Sequence, residues 1–145
     1  MNKVKVSRRF IREKALQALF QISSHGDLSI EEAIEYALNS EETEVEDIDI
    51  PDYLNQLVQG VLDRQVDLDA IISKHLEHWS ITRLPRTDLQ LIRLATYELL
   101  MSEDVPDNVA MNEAIELAKL YSDEKSSKFI NGVLSSIAES EKKEY

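Results

Sequence analysis

Along most of this chain, apolar residues recur at alternating three- and four-residue steps, the spacing that lines one face of an α-helix. The periodic segments read as helices over 7–23, 30–39, 52–64, 67–78, 87–101, 107–121 and 124–139. Three glycines and three prolines in 145 residues leave little to interrupt them. Ser29 followed by Glu32 makes a capping box for the second helix, and Thr87 with Gln90 makes one for the fifth. Pro51 suits the first turn of the third, and Pro106 stands just before the sixth. The pattern predicts an all-α protein of about seven helices in one domain, residues 1–145, without internal repeats.

Faces follow from a turn of about 100° per residue. In the first helix Ile11, Ala15, Ala18, Leu19 and Ile22 form the core stripe. Phe20 falls about 160° from the centre of that stripe, on the side of Arg9, Glu13 and Leu16, with Arg12 on the flank. A ring beside arginines and turned from the core offers stacking plus phosphate contact to single-stranded nucleic acid; the alternative is packing against a neighbouring helix. The fifth helix carries Leu89, Leu91, Ile92, Leu94, Ala95, Leu99 and Leu100 around its axis and is expected at the centre of the fold. Arg93 on it then needs a buried partner, for which Glu113 and Glu116 are the candidates. In the last helix Ile130, Val133, Leu134 and Ile137 make the core stripe, and Phe129 sits at its edge beside Lys125 and Lys128.

Charge changes the picture at one end. The first fourteen residues hold Lys3, Lys5, Arg8, Arg9, Arg12 and Lys14 against the single acid Glu13, a net +5. The other 131 hold ten cations and 27 acids, a net −17. Screening cuts off distant charge within about 8–10 Å, so a polyanion meets the basic segment as a local positive patch despite the net −12 of the chain. The alternative is a solvated tail. Size and composition are those of one soluble globular domain.

Catalytic chemistry has no foothold. The chain has no cysteine, glycine-rich phosphate loop or nucleophile elbow. It has no apolar run long enough for a membrane. No cleavable leader is recognised, so the expected location is the cytoplasm. His75 and His78 sit three apart near a helix end but show no third metal ligand; two partly exposed surface histidines are expected. The acidic stretch 41–49 lacks the glycine and terminal glutamate of a calcium loop. No enzyme activity, cofactor or metal is expected.

The segment Asp104–Lys119 (DVPDNVAMNEAIELAK) and the run Ser127–Leu134 (SKFINGVL) resemble the signature of the NusB family of bacterial transcription antitermination factors. Arg12–Phe20 (REKALQALF) resembles that family's opening helix, and Ile92–Leu100 (IRLATYELL) its central one. Together the blocks span nearly the whole chain in order. Asp107-Asn108 and Ser127 depart from the family's commoner residues, an aromatic-basic pair and a histidine. The resemblance implies a NusB-like fold of two three-helix bundles with an extra helix. It also implies binding to boxA RNA of ribosomal RNA transcripts together with NusE, a small-subunit ribosomal protein, within the RNA polymerase antitermination complex. By position it carries RNA binding to Lys3, Lys5, Arg8, Arg9, Arg12, Phe20, Lys125 and Phe129, and partner binding to Asp88, Phe20 and Phe129. Two other readings stand beside it: a helical adaptor without RNA binding, and the NusB-like module of an RNA methyltransferase, for which no cofactor domain follows before Tyr145.

Overall fold

A computed structural model of the 145-residue chain describes residues 4–5, 7–39, 48–49, 52–78, 80–102 and 105–141. Among the described residues there are seven α-helices: α1 (Arg8–Ser24), α2 (Ile30–Leu38), α3 (Asp52–Asp63), α4 (Gln65–Lys74), α5 (Arg86–Met101), α6 (Asp107–Tyr121) and α7 (Glu124–Glu141). A 3-10 turn over Ile81–Arg83 precedes α5. Two two-residue strands, β1 (Val4–Lys5) and β2 (Ile48–Asp49), pair in parallel with Val4 opposite Ile48 and Lys5 opposite Asp49. The fold is all-α, as the periodicity predicts. The chain divides into two compact units, Met1–Gly60 and Val61–Tyr145, with the boundary inside α3.

In the first unit α1 packs on α2. Ile11, Ala15, Ala18 and Leu19 of α1 and Ala33, Ile34, Ala37 and Leu38 of α2 are buried; four of the eight are alanines, which let two helix axes approach closely. Each helix has its start fixed by a serine. Ser7 Oγ accepts from Phe10 N at 3.1 Å. Ser29 and Glu32 form the expected capping box, with both bonds at 3.1 Å, a feature worth about 1 kcal/mol. Ile22, expected in the core, is half-buried because α1 ends two residues later.

In the second unit α5, α6 and α7 pack against one another, and α4 packs on α5 and α7. The expectation for α5 holds: Leu91, Ile92, Leu94, Ala95 and Leu99 are buried, as are the polar residues between them. Ile130, Val133, Leu134 and Ile137 bury the predicted stripe of α7.

Three local readings are corrected. The start of α5 is set by Pro85, whose carbonyl accepts from Leu89 N, and no side chain caps it. Thr87 lies two residues past the cap position, inside the helix, and Gln90 is buried instead of reaching back. Arg93 reaches neither Glu113 nor Glu116. Its Nε donates to Asp69 Oδ1 and its Nη2 to Asp69 Oδ2 of α4, each at 2.7 Å, a bidentate pair. His78 is exposed and His75 partly so, but His75 is also tied to α7: its Nδ1 lies 2.7 Å from Ser136 Oγ and its Nε2 lies 3.2 Å from Glu141 Oε2. It closes α4 there, with His75 N–H bonded to Ile72 O, so the helix stops short of residue 78.

Candidate nucleic-acid interface

The most exposed arc of α1 runs along Arg9, Glu13, Gln17, Phe20 and Ser24, positions that fall within about 80° on the helix circumference. Phe20 is half-buried on this arc, off the core stripe as helical geometry requires. Its carbonyl accepts from Ser23 Oγ at 2.7 Å, which stabilises the last turn. Arg8 and Arg9 are exposed at the helix start, and the first turn holds no acid. Cations at a helix N-terminus oppose the macrodipole at a cost of about 0.3–1 kcal/mol each. The same arrangement adds the positive end of the dipole to two guanidiniums, a field that favours an anion.

Arg12 departs from the sequence reading. It is 3% exposed and engaged inside the protein, so it is not presented beside Phe20 as a free phosphate contact. Its circumferential position explains the outcome, since Leu16, one turn on, is buried as well. Lys14 is also buried, its Nζ donating to Gln17 Oε1 at 3.2 Å and lying 5.3 Å from the Phe10 ring centre. Lys3 and the stretch 41–47 lie outside the described residues, and for Lys5 only the backbone is described.

The second group of candidates comes together in the second unit. Asp88 of α5 and Lys125 and Phe129 of α7 line one cleft of about 250 Å³ with Arg83, Leu84, Pro85 and Ser126. Asp88 is 4% exposed and accepts a short hydrogen bond from Ser122 Oγ, so a carboxylate sits in the wall with cations at the mouth. Lys125 is exposed and Phe129 half-buried. Phe129 is a ridge: its other side lines a second groove with His75, His78, Lys128 and Gly132.

Lys125 and Phe129 are placed by the start of α7. Asp123 Oδ1 accepts from Ser126 N at 2.7 Å, capping the helix one residue before it begins. That hydrogen bond to the Ser126 backbone, with help from the Ser126 hydroxyl and the Lys125 charge, holds the Asp123 carboxyl below the usual range. Arg83 is the cleft residue that sequence reasoning missed. The basic tetrapeptide Arg83-Leu84-Pro85-Arg86 just ahead of α5 is the signal that points to it.

Among the described residues no group of three metal-ligating side chains converges, and no helix is long and apolar enough to cross a membrane. The second unit presents a half-buried aromatic beside exposed cations, which suits bases and phosphates of an unpaired strand, whereas on α1 Phe20 and Arg9 share one face about 16 Å apart.

Comparison with known proteins gives these sites a family context. The NusB family model matches residues 9–139. The transcription antitermination protein NusB of Bacillus subtilis (strain 168) is 52% identical over 132 residues, covering 91% of this chain and 95% of that protein. The solved structure of T. maritima NusB is 37% identical with a TM-score of 0.81, covering 94% of each chain. A crystal structure of antitermination factors NusB and NusE in complex with dsRNA contains a chain 30% identical, with a TM-score of 0.79, covering 91% of this chain and 96% of that one.

Proposed function

This chain belongs to the NusB family, and from that membership we propose that it is a transcription antitermination factor that binds boxA RNA of ribosomal RNA transcripts together with NusE. The role is that of an RNA-binding regulator in the RNA polymerase antitermination complex, and not of an enzyme. Acting on nascent transcripts places it in the cytoplasm. The observation that carries the reading is the family match across 9–139, which takes in both the basic helix and the Phe129 cleft. A similar chain solved with NusE and double-stranded RNA supports the choice of partners.

In this reading Arg8 and Arg9 contact phosphates, with Lys3 and Lys5 extending the basic segment towards the N-terminus. Phe20, Phe129 and Lys125 serve the RNA, and the two rings also border the partner. Asp88 belongs to the partner side. Because it is buried against Ser122, it acts by shaping and charging the cleft wall that a basic partner meets. Arg12 supports the helix from inside. The −17 outside the basic segment repels RNA, so a basic protein docked at the cleft extends the positive surface and speeds encounter.

The test is a titration of boxA RNA against this protein with and without saturating NusE, repeated across a salt series. NusE should tighten RNA binding about 5–150-fold, the usual span of linked equilibria. Replacing Arg8 and Arg9 by Ala should reduce the salt slope by about 0.7 per lost phosphate contact. Equal RNA affinity with and without NusE would sink the joint site, and no RNA binding in either arm would leave the adaptor reading.

A further inference from the structure

Two contacts fix the basic segment to a stretch of chain more than forty residues away. Ahead of α1, Val4 and Lys5 pair with Ile48 and Asp49. At the start of α1, the guanidinium carbon of Arg8 lies 4.2 Å from the centre of the Tyr53 ring. Tyr53 is half-buried in the first turn of α3, so the ring is held by the fold, whereas Arg8 is exposed. The two residues belong to the same compact unit.

At 4.2 Å the cation sits well inside the range of about 6 Å for attraction to a ring face. An arginine that lies flat on a ring makes this contact through the face of its guanidinium. Its five N–H donors lie in the plane of the group and stay available at the edge. A free surface arginine loses its rotamer freedom when it grips a phosphate, and an arginine already laid on a ring loses less.

We infer that Tyr53 is a positioning residue for RNA binding, holding Arg8 over its ring so that the guanidinium edge meets a backbone phosphate pre-oriented. The assignment rests on the reading of Arg8 as a phosphate contact. It extends the RNA surface from α1 to α3, which carries no basic residue of its own. The β1–β2 pairing serves the same end, because it brings the residues just before α1 alongside those just before α3.

The experiment measures boxA RNA affinity, with NusE present, for the unaltered protein, Tyr53→Phe, Tyr53→Leu, Arg8→Ala and the Arg8→Ala/Tyr53→Leu double variant. Tyr53→Phe keeps the ring and should bind as the unaltered protein does. Tyr53→Leu should weaken binding about two- to fivefold, the worth of an exposed cation–π contact. In the Arg8→Ala background the same change should add nothing, since a residue acting through Arg8 has nothing left to act on. Equal weakening by Tyr53→Leu in both backgrounds, or none in either, overturns the inference. Arg8→Lys, a surface change that leaves the fold alone, keeps the charge without the flat fork and should also weaken binding about twofold, towards the lower end of the same range; unchanged affinity for it overturns the inference even if Tyr53→Leu fails to fold. If Arg8→Ala itself binds normally, the phosphate role of Arg8 falls and the inference with it. If Arg8→Ala weakens binding while Tyr53→Leu does not, Tyr53 alone is excluded and the wider reading stands.

Discussion

Phe20 and Phe129 are both half-buried rings proposed for RNA recognition, yet they are built by different means. Phe20 lies on the outer arc of a single helix, with Arg9 on the same arc. Phe20 and Arg9 are placed by one stretch of sequence, and Arg8, next to Arg9, also meets a residue of another helix, Tyr53. Phe129 stands in a cleft to which the 3-10 turn, α5 and α7 each contribute a wall. Its position depends on the Asp123 cap, on the packing of α5 against α7 and on the tie from His75 to Ser136 and Glu141. A strip of this kind tolerates damage elsewhere in the fold; a cleft assembled from several elements inherits every fault in its scaffold.

The strongest way to break the comparison is to loosen the scaffold of the cleft. Asp69→Ala strips the bidentate partner from Arg93, whose side chain is 10% exposed, and leaves a largely buried cation unpaired. The expected cost is about 3 kcal/mol, the lower end for a broken buried pair because Asp69 keeps contact with solvent, and the melting temperature should fall by on the order of 10 °C. Asp67→Ala, which removes the exposed pair with Arg64 on the same helix, should cost under about 0.5 kcal/mol. Similar melts for the two variants would show that the Arg93 pair does not support the second unit.

A smaller effect, aimed at function, separates the two rings. Phe20→Ala and Phe129→Ala should each lower RNA affinity by about 1–3 kcal/mol, the worth of a stacked base. Both should cost less stability than the 3–5 kcal/mol of a core phenylalanine. Phe129→Ala should cost the more of the two, because it removes a cleft wall and not a patch of open helix surface. Thermal melts paired with RNA titrations check both halves, and a core-sized loss of stability for Phe20→Ala would remove it from the recognition surface.

The smallest effect is a pH dependence confined to the second unit. The folded Asp123 carboxyl is held below its ordinary range, so the stabilisation it lends α7 is complete above the unfolded value of about 4 and is lost as pH falls through the folded one. Asp123→Asn, still a good cap, should remove this contribution to acid sensitivity while changing little at pH 7. An unchanged acid titration of stability in that variant would show that the cap does not govern the start of α7.

Local pattern made the helices legible. Six of the seven begin within one residue of the expected positions and α4 within two, because 3.6-residue periodicity and the proline and serine boundaries are written in adjacent residues. The off-core placement of Phe20 and Phe129 was legible for the same reason. What periodicity does not carry is which helix lies opposite. Arg93 was recognised as a cation in need of a partner, but its carboxylate is on α4, 24 residues upstream. Arg12 looked available because a helical wheel shows one helix at a time, and burial there is decided by what surrounds it. The resemblance assigned Lys125 to RNA, Asp88 to the partner and Phe129 to both; their shared cleft, and the place of Arg83 in it, came only with the structure.

The packing between sequence neighbours has a kinetic consequence. α1 meets α2, α5 meets α6 and α6 meets α7, so most helices find a partner as soon as the next element exists. Topologies of this sort close short loops and cross low entropic barriers, which puts them among the fast folders. On the ribosome the unit ending at Gly60, with its α1–α2 pair, emerges before the second unit. α7, which packs on α4, α5 and α6 and carries Lys125 and Phe129, is made after all three. The cleft therefore comes into being only once α7 has been made, and a chain that stops short of α7 lacks it.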